Sequence, residues 1–144
     1  MLCWNLDHFN SSFGDDVVQT IAKTVCDYDL IYLMEVSSPA KDPPLELLVK
    51  KIHELRESQK KKGVYKYKHT VMNKGFWGVA MYNSTIITFR KQLEIEWEKH
   101  SQPYRYPFVL QYAVKNSDGI DWNFTVSGVH LKSGKAIPKY NSLY

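Results

Sequence analysis

Asp121–Gly134 reads DWNFTVSGVHLKSG, and this stretch decides what kind of sheet protein the chain forms. Trp122, Phe124 and Val126 alternate with Asn123, Thr125 and Ser127. A period of two built from aromatic and β-branched residues predicts a strand. The strand continues through Val129 into His130-Leu131-Lys132-Ser133-Gly134, a polar loop containing glycine. A histidine where an apolar strand meets such a loop is well placed for chemistry, because loops on a rigid sheet carry catalytic side chains. An ordinary strand-end histidine held by hydrogen bonds gives the same pattern.

Upstream, Asn116-Ser117-Asp118-Gly119 predicts a hairpin turn, and Phe108–Val114 the strand that pairs through it. Arg105-Tyr106-Pro107 leads into that strand. Glu94–Glu98 alternates acid with apolar, as a half-exposed strand does, and Ile86–Phe89 and Gly78–Tyr82 are further apolar strands. Asn73-Lys74-Gly75 and Asn83-Ser84 predict turns. Tyr65, Tyr67 and His69 alternate with Lys66 and Lys68, which suits the edge of a sheet. The second part of the chain is therefore expected to be largely antiparallel.

The first part reads differently. Leu2–Leu6 predicts a buried strand presenting Asn5, followed by a polar loop over residues 7–12. Val17, Val18, Ile21, Ala22 and Val25 recur at helical spacing, predicting a helix over residues 16–26 with Asp15 or Asp16 as its N-cap. Leu30–Met34 is a continuous apolar run, as in a central strand covered on both faces, and it ends on Glu35. A carboxylate directly after five apolar residues is costly to bury unless it is paired or binds a metal. A sheet-edge glutamate reaching solvent is the equal alternative. Leu45, Leu48, Ile52 and Leu55 predict an amphipathic helix over residues 44–58, stopped by Gly63. Lys139–Tyr144 looks like the start of another helix.

A chain of 144 residues is one domain with room for a real core. It has no run of eighteen apolar residues, so no membrane span is expected. The N-terminus places Asn and Asp where a secretion signal needs an apolar stretch. Cys3 and Cys26 lack metal-type spacing and read as two buried free thiols, which with the missing signal points to the cytoplasm. The net charge of +4 is unevenly spread. Residues 1–50 hold 3 Lys and Arg against 8 Asp and Glu, while the remainder holds 16 against 7. An acidic first third suits a cation, and a basic remainder suits a phosphate backbone. Two solvated faces would give the same split.

Trp4-Asn5-Leu6, Asp29–Val36, Gly78–Tyr82, Tyr104-Arg105-Tyr106-Pro107 and Val129–Ser133 occur in an order that resembles the endonuclease/exonuclease/phosphatase superfamily, most closely its DNase I-like nucleases. The resemblance implies an α+β fold: the first half of a DNase I-like four-layer α/β sandwich, with a mixed β-sheet and two outer helices. Residues 1–144 would be the N-terminal half of such a domain. It further implies that Asn5 and Glu35 hold a divalent metal, Mg²⁺ or Mn²⁺, through hard oxygen ligands. Arg105 matches the family arginine that meets phosphate, and His130 the histidine acting at the scissile phosphate. Lys132, with Lys66, Lys68, Lys74 and Lys135, would contact the phosphate backbone. The implied substrate is nucleic acid, in the first instance DNA. A phosphatase of the same fold acting on small phosphoesters or lipid head groups, and a non-enzymatic half-nuclease that binds nucleic acid or a partner chain, are the alternatives.

The departures from the family pattern are specific. Phe76 and Trp77 occupy the region of the acid that supports the first histidine in DNase I, and Ser37 stands where DNase I has a minor-groove arginine. The family's later Gly-Asp-x-Asn and Ser-Asp-His segments are absent. The expectation is a chain that does not act alone: a complementary polypeptide, or a second copy of this one, covers the open inner face of the sheet and brings the water-activating residue.

Overall fold

The computed structural model describes residues 1–39, 43–71, 77–93, 107–115 and 121–128. In chain order the elements are β1 (Leu2–Phe9), α1 (Asp15–Val25), β2 (Leu30–Val36), α2 (Leu45–Ser58), β3 (Tyr65–Val71), β4 (Trp77–Asn83), β5 (Ile87–Leu93), β6 (Phe108–Lys115) and β7 (Asp121–Gly128). The first four strands form a sheet in the order β1-β2-β4-β3, with β1 parallel to β2 and the other pairs antiparallel. The last three form an antiparallel sheet, β5-β6-β7.

Alternation along the strands sends each set of side chains to one of two cores. Ile31, Leu33, Val79 and Met81 face α1 and α2, where they meet Val18, Ile21, Ala22, Val25, Leu48 and Ile52. Each large apolar side chain buried here contributes roughly 1.5–3 kcal/mol. The opposite face of the same sheet carries Leu30, Tyr32, Ala80 and Tyr82, which pack on Ile87, Phe108, Leu110 and Tyr112 of the second sheet. Tyr32 stacks on Phe108 with ring centroids 3.8 Å apart and donates to or accepts from Thr70 Oγ1. Gly78 lies between those two strands, and a Cβ there would overlap the Tyr32 hydroxyl. The architecture is thus α+β: two helices, a mixed sheet and an antiparallel sheet, stacked in that order. That arrangement is compatible with the first half of a DNase I-like sandwich.

Several details depart from the pattern read in the sequence. Helix α1 has Gly14 at its N-cap with no side-chain cap bond; Asp15 and Asp16 lie inside the first turn, where they complement the helix dipole. Helix α2 ends at Ser58, well before Gly63. Lys60 takes the left-handed conformation (φ 57°), Lys60 N–H donates to Glu57 O, and Lys61 N–H donates to Arg56 O, the paired bonds of a Schellman ending. Cys26 is buried, but Cys3 is exposed. It shares register with Tyr32 at the outer edge of the first sheet, and only the other side of β1 (Leu2, Trp4, Leu6) packs under the helices. β7 is likewise an edge strand: Phe124 and Val126 are half-buried, and Trp122 is 68% exposed. The inner face of the first sheet is covered across its middle by the chain's own β5 and β6, so the chain itself meets much of the burial expected from a second polypeptide.

Candidate metal centre

β1 and β2 run side by side in parallel, with Asn5 opposite Met34. That register brings Asn5 beside Glu35, the two residues matched to the metal-holding pair. Both strands lose regular pairing at this height. β1 resumes only at Phe9 opposite Val36, while the β2–β4 ladder shifts between Met34 and Val36. Ser37 N–H then donates to Phe9 O, closing the distortion. The extra residues are Leu6, Asp7 and His8 on one strand and Glu35 on the other.

The local sequence explains why the distortion forms and stays. Leu6 and Phe9 are both buried under the helices, so Asp7 and His8 are carried between two apolar anchors. Asp7 (φ 49°) and His8 (φ 68°) take the left-handed conformation, which Asp and His tolerate better than most residues. Glu35 takes it too, at φ 55°. A residue of that type there stores strain of order 1 kcal/mol, and such strain gathers at bulges beside functional sites. Asp7 N–H donates to Asn5 Oδ1 at 3.0 Å, and Asn10 Nδ2 donates to His8 O at 2.7 Å, fixing the turn that follows.

The side chains converge. His8 Nδ1 lies 3.1 Å from Asp7 Oδ1 and 3.7 Å from Glu35 Oε2. The Glu35 side chain is 10% exposed, against 72% for His8 and 93% for Asp7. One ligand atom from each of the three lies within 4.8 Å of the others. A six-coordinate ion about 2.1 Å from its donors sets opposite donors about 4.2 Å apart, so a modest rotamer adjustment brings these atoms to ligating distance. Two carboxylates and an imidazole, next to an amide oxygen, are a donor set that suits a divalent cation.

Of the residues singled out in the sequence, Asn5 and Glu35 lie at the same end of two paired parallel strands, Asn5 opposite the neighbour of Glu35. Arg105, His130, Lys132, Lys74 and Lys135 lie outside the described residues. Lys66 and Lys68 are exposed on β3, on the side of the sheet shared with Tyr82 and Ala80. Asp7 and His8, which the sequence pattern assigns to a polar loop, lie at the end of β1. The signal that finds Asp7 is its spacing: two residues after Asn5 on one strand, it returns to the same face. A groove of ≈ 600 Å³ along β3 and α2 takes in His53, Tyr67, Lys66, Lys68 and Glu54 and contains neither Asn5 nor Glu35.

No family model matches the chain, and no curated protein matches it. Among solved structures, a crystal structure of D. rerio TDP2 humanized by 14 mutations is similar over 92% of this chain and 51% of that one, at 16% identity and a TM-score of 0.43. The chain spans about half the length of that structure.

Proposed function

We propose that the chain is part of a metal-dependent, DNase I-like phosphodiesterase acting on DNA. The observation that carries this reading is the cluster of Asp7, His8 and Glu35 at the end of the β1–β2 pair, where Asn5 is registered opposite Met34. A divalent cation held there, Mg²⁺ or Mn²⁺, would neutralise charge on the phosphoryl oxygens and the leaving group. Glu35 and Asn5 hold that ion, with Asp7 as the adjoining carboxylate. Glu35 is largely shielded from water, which strengthens its attraction for a cation.

The remaining roles come from the sequence resemblance. Arg105 would hold a non-bridging phosphate oxygen, and Lys132 would contact the phosphate backbone. His130 would donate a hydrogen bond or proton near the scissile oxygen, stabilising developing charge. The resemblance matches no residue of this chain to the family's general base, an Asp or His.

Plasmid nicking in Mg²⁺ and in Mn²⁺ tests the proposal, using the protein in the form the cell makes. Nicking that disappears with Glu35→Ala is the expected result. Hydrolysis of inositol phosphates without nicking would move the assignment to a phosphatase of this fold. Activity untouched by Glu35→Ala would remove the metal centre from the mechanism.

A further inference from the structure

We propose that the end of the fold opposite Asp7, His8 and Glu35 docks on an anionic lipid surface, whatever the cation site does. Tyr28, Val64, Ile86 and Trp122 enter the headgroup region there, and Lys60 and Lys62 meet the lipid phosphates. Apart from Met1 at the chain start, the exposed large hydrophobics among the described residues are Val17 and these four. Val17 lies in the first turn of α1. The other four share one end of the two sheets. Tyr28 and Val64 come just before β2 and β3, whose first residues lie level with the end of β4. Ile86 is in the turn from β4 to β5, and Trp122 is level with Ile87 through Val114. Single exposed apolar side chains are ordinary, but four gathered at one end mark an interaction surface.

The backbone at this end is bonded while the side chains stay out. Val64 N–H donates to Thr85 Oγ1 at 3.2 Å, and Ser84 donates to Val64 O from its N–H (2.7 Å) and its hydroxyl (2.8 Å). Ile86 N–H donates to Asn83 O at 3.2 Å, and Tyr28 O accepts from the Tyr65 hydroxyl. Val64 and Ile86 nevertheless remain 53% and 47% exposed. Charge then selects the partner. Asp27 pairs with Lys61, Asp29 with Arg56, and Asp121 with Arg90. Lys23, Lys60 and Lys62 stand exposed at this end against Glu57, which leaves a basic rim around apolar tips. Trp and Tyr favour the headgroup boundary, where the ring leaves water and the N–H or O–H stays wet. Lysines gain there from the negative surface potential. Val64 and Ile86 have nothing to offer a nucleic-acid backbone, but both gain by leaving water. Attachment of this kind grows with the apolar area buried and the attraction to anionic lipid.

The experiment floats the purified protein with vesicles of phosphatidylcholine, alone or with about 30% phosphatidylserine. Capture by the phosphatidylserine vesicles only, weakening as salt is added, is the expected result. Lys60→Gln with Lys62→Gln is expected to weaken it about twentyfold, roughly fivefold for each lysine. Val64→Ser with Ile86→Ser is expected to weaken it about tenfold. Tryptophan emission should shift to the blue on binding, and much less so in Trp122→Phe. All the substituted side chains are exposed, and circular dichroism of each variant checks that the fold is kept. No capture of the wild type by phosphatidylserine vesicles would overturn the proposal. Capture unchanged by Val64→Ser with Ile86→Ser would overturn it too, marking a purely electrostatic contact. Duplex DNA that displaces the vesicles, and whose binding is lost with Lys60 and Lys62, would assign this end to nucleic acid instead.

Discussion

The two ends of the first sheet hold similar groups and treat them in opposite ways. At one end, Asn5, Asp7, His8 and Glu35 meet where the ladder breaks. At the other, Arg56 reaches from α2 into a closed knot. Its guanidinium donates to Cys26 O (2.8 Å), Tyr65 Oη (2.9 Å) and Lys62 O (2.9 Å), and lies 3.5 Å from Asp29 Oδ1. Asn83 Nδ2 donates to the same Asp29 oxygen, and Tyr65 O–H donates to Tyr28 O. Arg56 is 7% exposed, and of its guanidinium only Nε is buried without a partner. The knot ties helix, loop and strand with bonds that run inside the protein. The other end sets Asp7 and His8 in solvent beside a largely shielded Glu35, all three on left-handed backbone. One end is closed by buried hydrogen bonds, while the other carries left-handed backbone and two exposed side chains.

The largest effect should come from breaking the closed end. Arg56→Ala leaves Cys26 O and Lys62 O without their donor and removes the charge beside Asp29. Each stranded buried group costs about 1–3 kcal/mol, so a loss of about 3 kcal/mol is expected in urea unfolding. If the ends are independent, the variant's affinity for Mn²⁺ under folding conditions stays at the wild-type value.

Alkali attacks the same end more gently. Burial pushes the Tyr65 phenol up to about 12 from its usual 10, and burial also raises Tyr32 and Tyr112. A raised folded pKa means the unfolded chain gives up its proton first. The stabilisation is fully present below pH 10 and is lost as pH climbs through the folded value. Tyr65 alone is expected to cost about 2 kcal/mol between pH 10 and 12. Thermal melts across pH 9–12 should fall steeply in that window, and Tyr65→Phe should flatten part of the fall. A melting temperature independent of pH there would show that the phenol is not buried as described.

The smallest effect has the opposite sign. Glu35→Gly relieves a left-handed backbone that glycine adopts without cost. It should raise stability by about 1 kcal/mol while abolishing metal binding. A variant that is both less stable and metal-free would mean that Glu35 supports the fold, and the contrast between the two ends would lose its meaning.

Much of the fold is legible in periodicity, because burial writes itself into spacing. The helical recurrence from Val18 to Val25 and from Leu45 to Ile52 marks α1 and α2, and the unbroken run Leu30–Leu33 marks a strand covered on both faces. Tyr65–His69, with lysines between aromatics, is the edge strand it suggested. Of the site, Asn5 and Glu35 were legible as residues. Their adjacency was not, since it depends on the parallel register of β1 against β2, which no local pattern encodes. The apolar letters of residues 2–6 suggested a fully buried strand, yet position at the sheet edge left Cys3 in solvent. The same holds for β7: its alternation specifies which side chains share a face, but only the stacking of the two sheets leaves Trp122 uncovered.

Sequence by itself determined the two helices and the sheet-forming strands, because these rest on local spacing and side-chain type. Tertiary structure alone decided that the chain's own second sheet covers the first. It also decided that Lys60 rather than Gly63 turns the chain after α2, and that Asp7 and His8 join Glu35. Those outcomes depend on register and left-handed backbone, which form only when distant strands lock against one another.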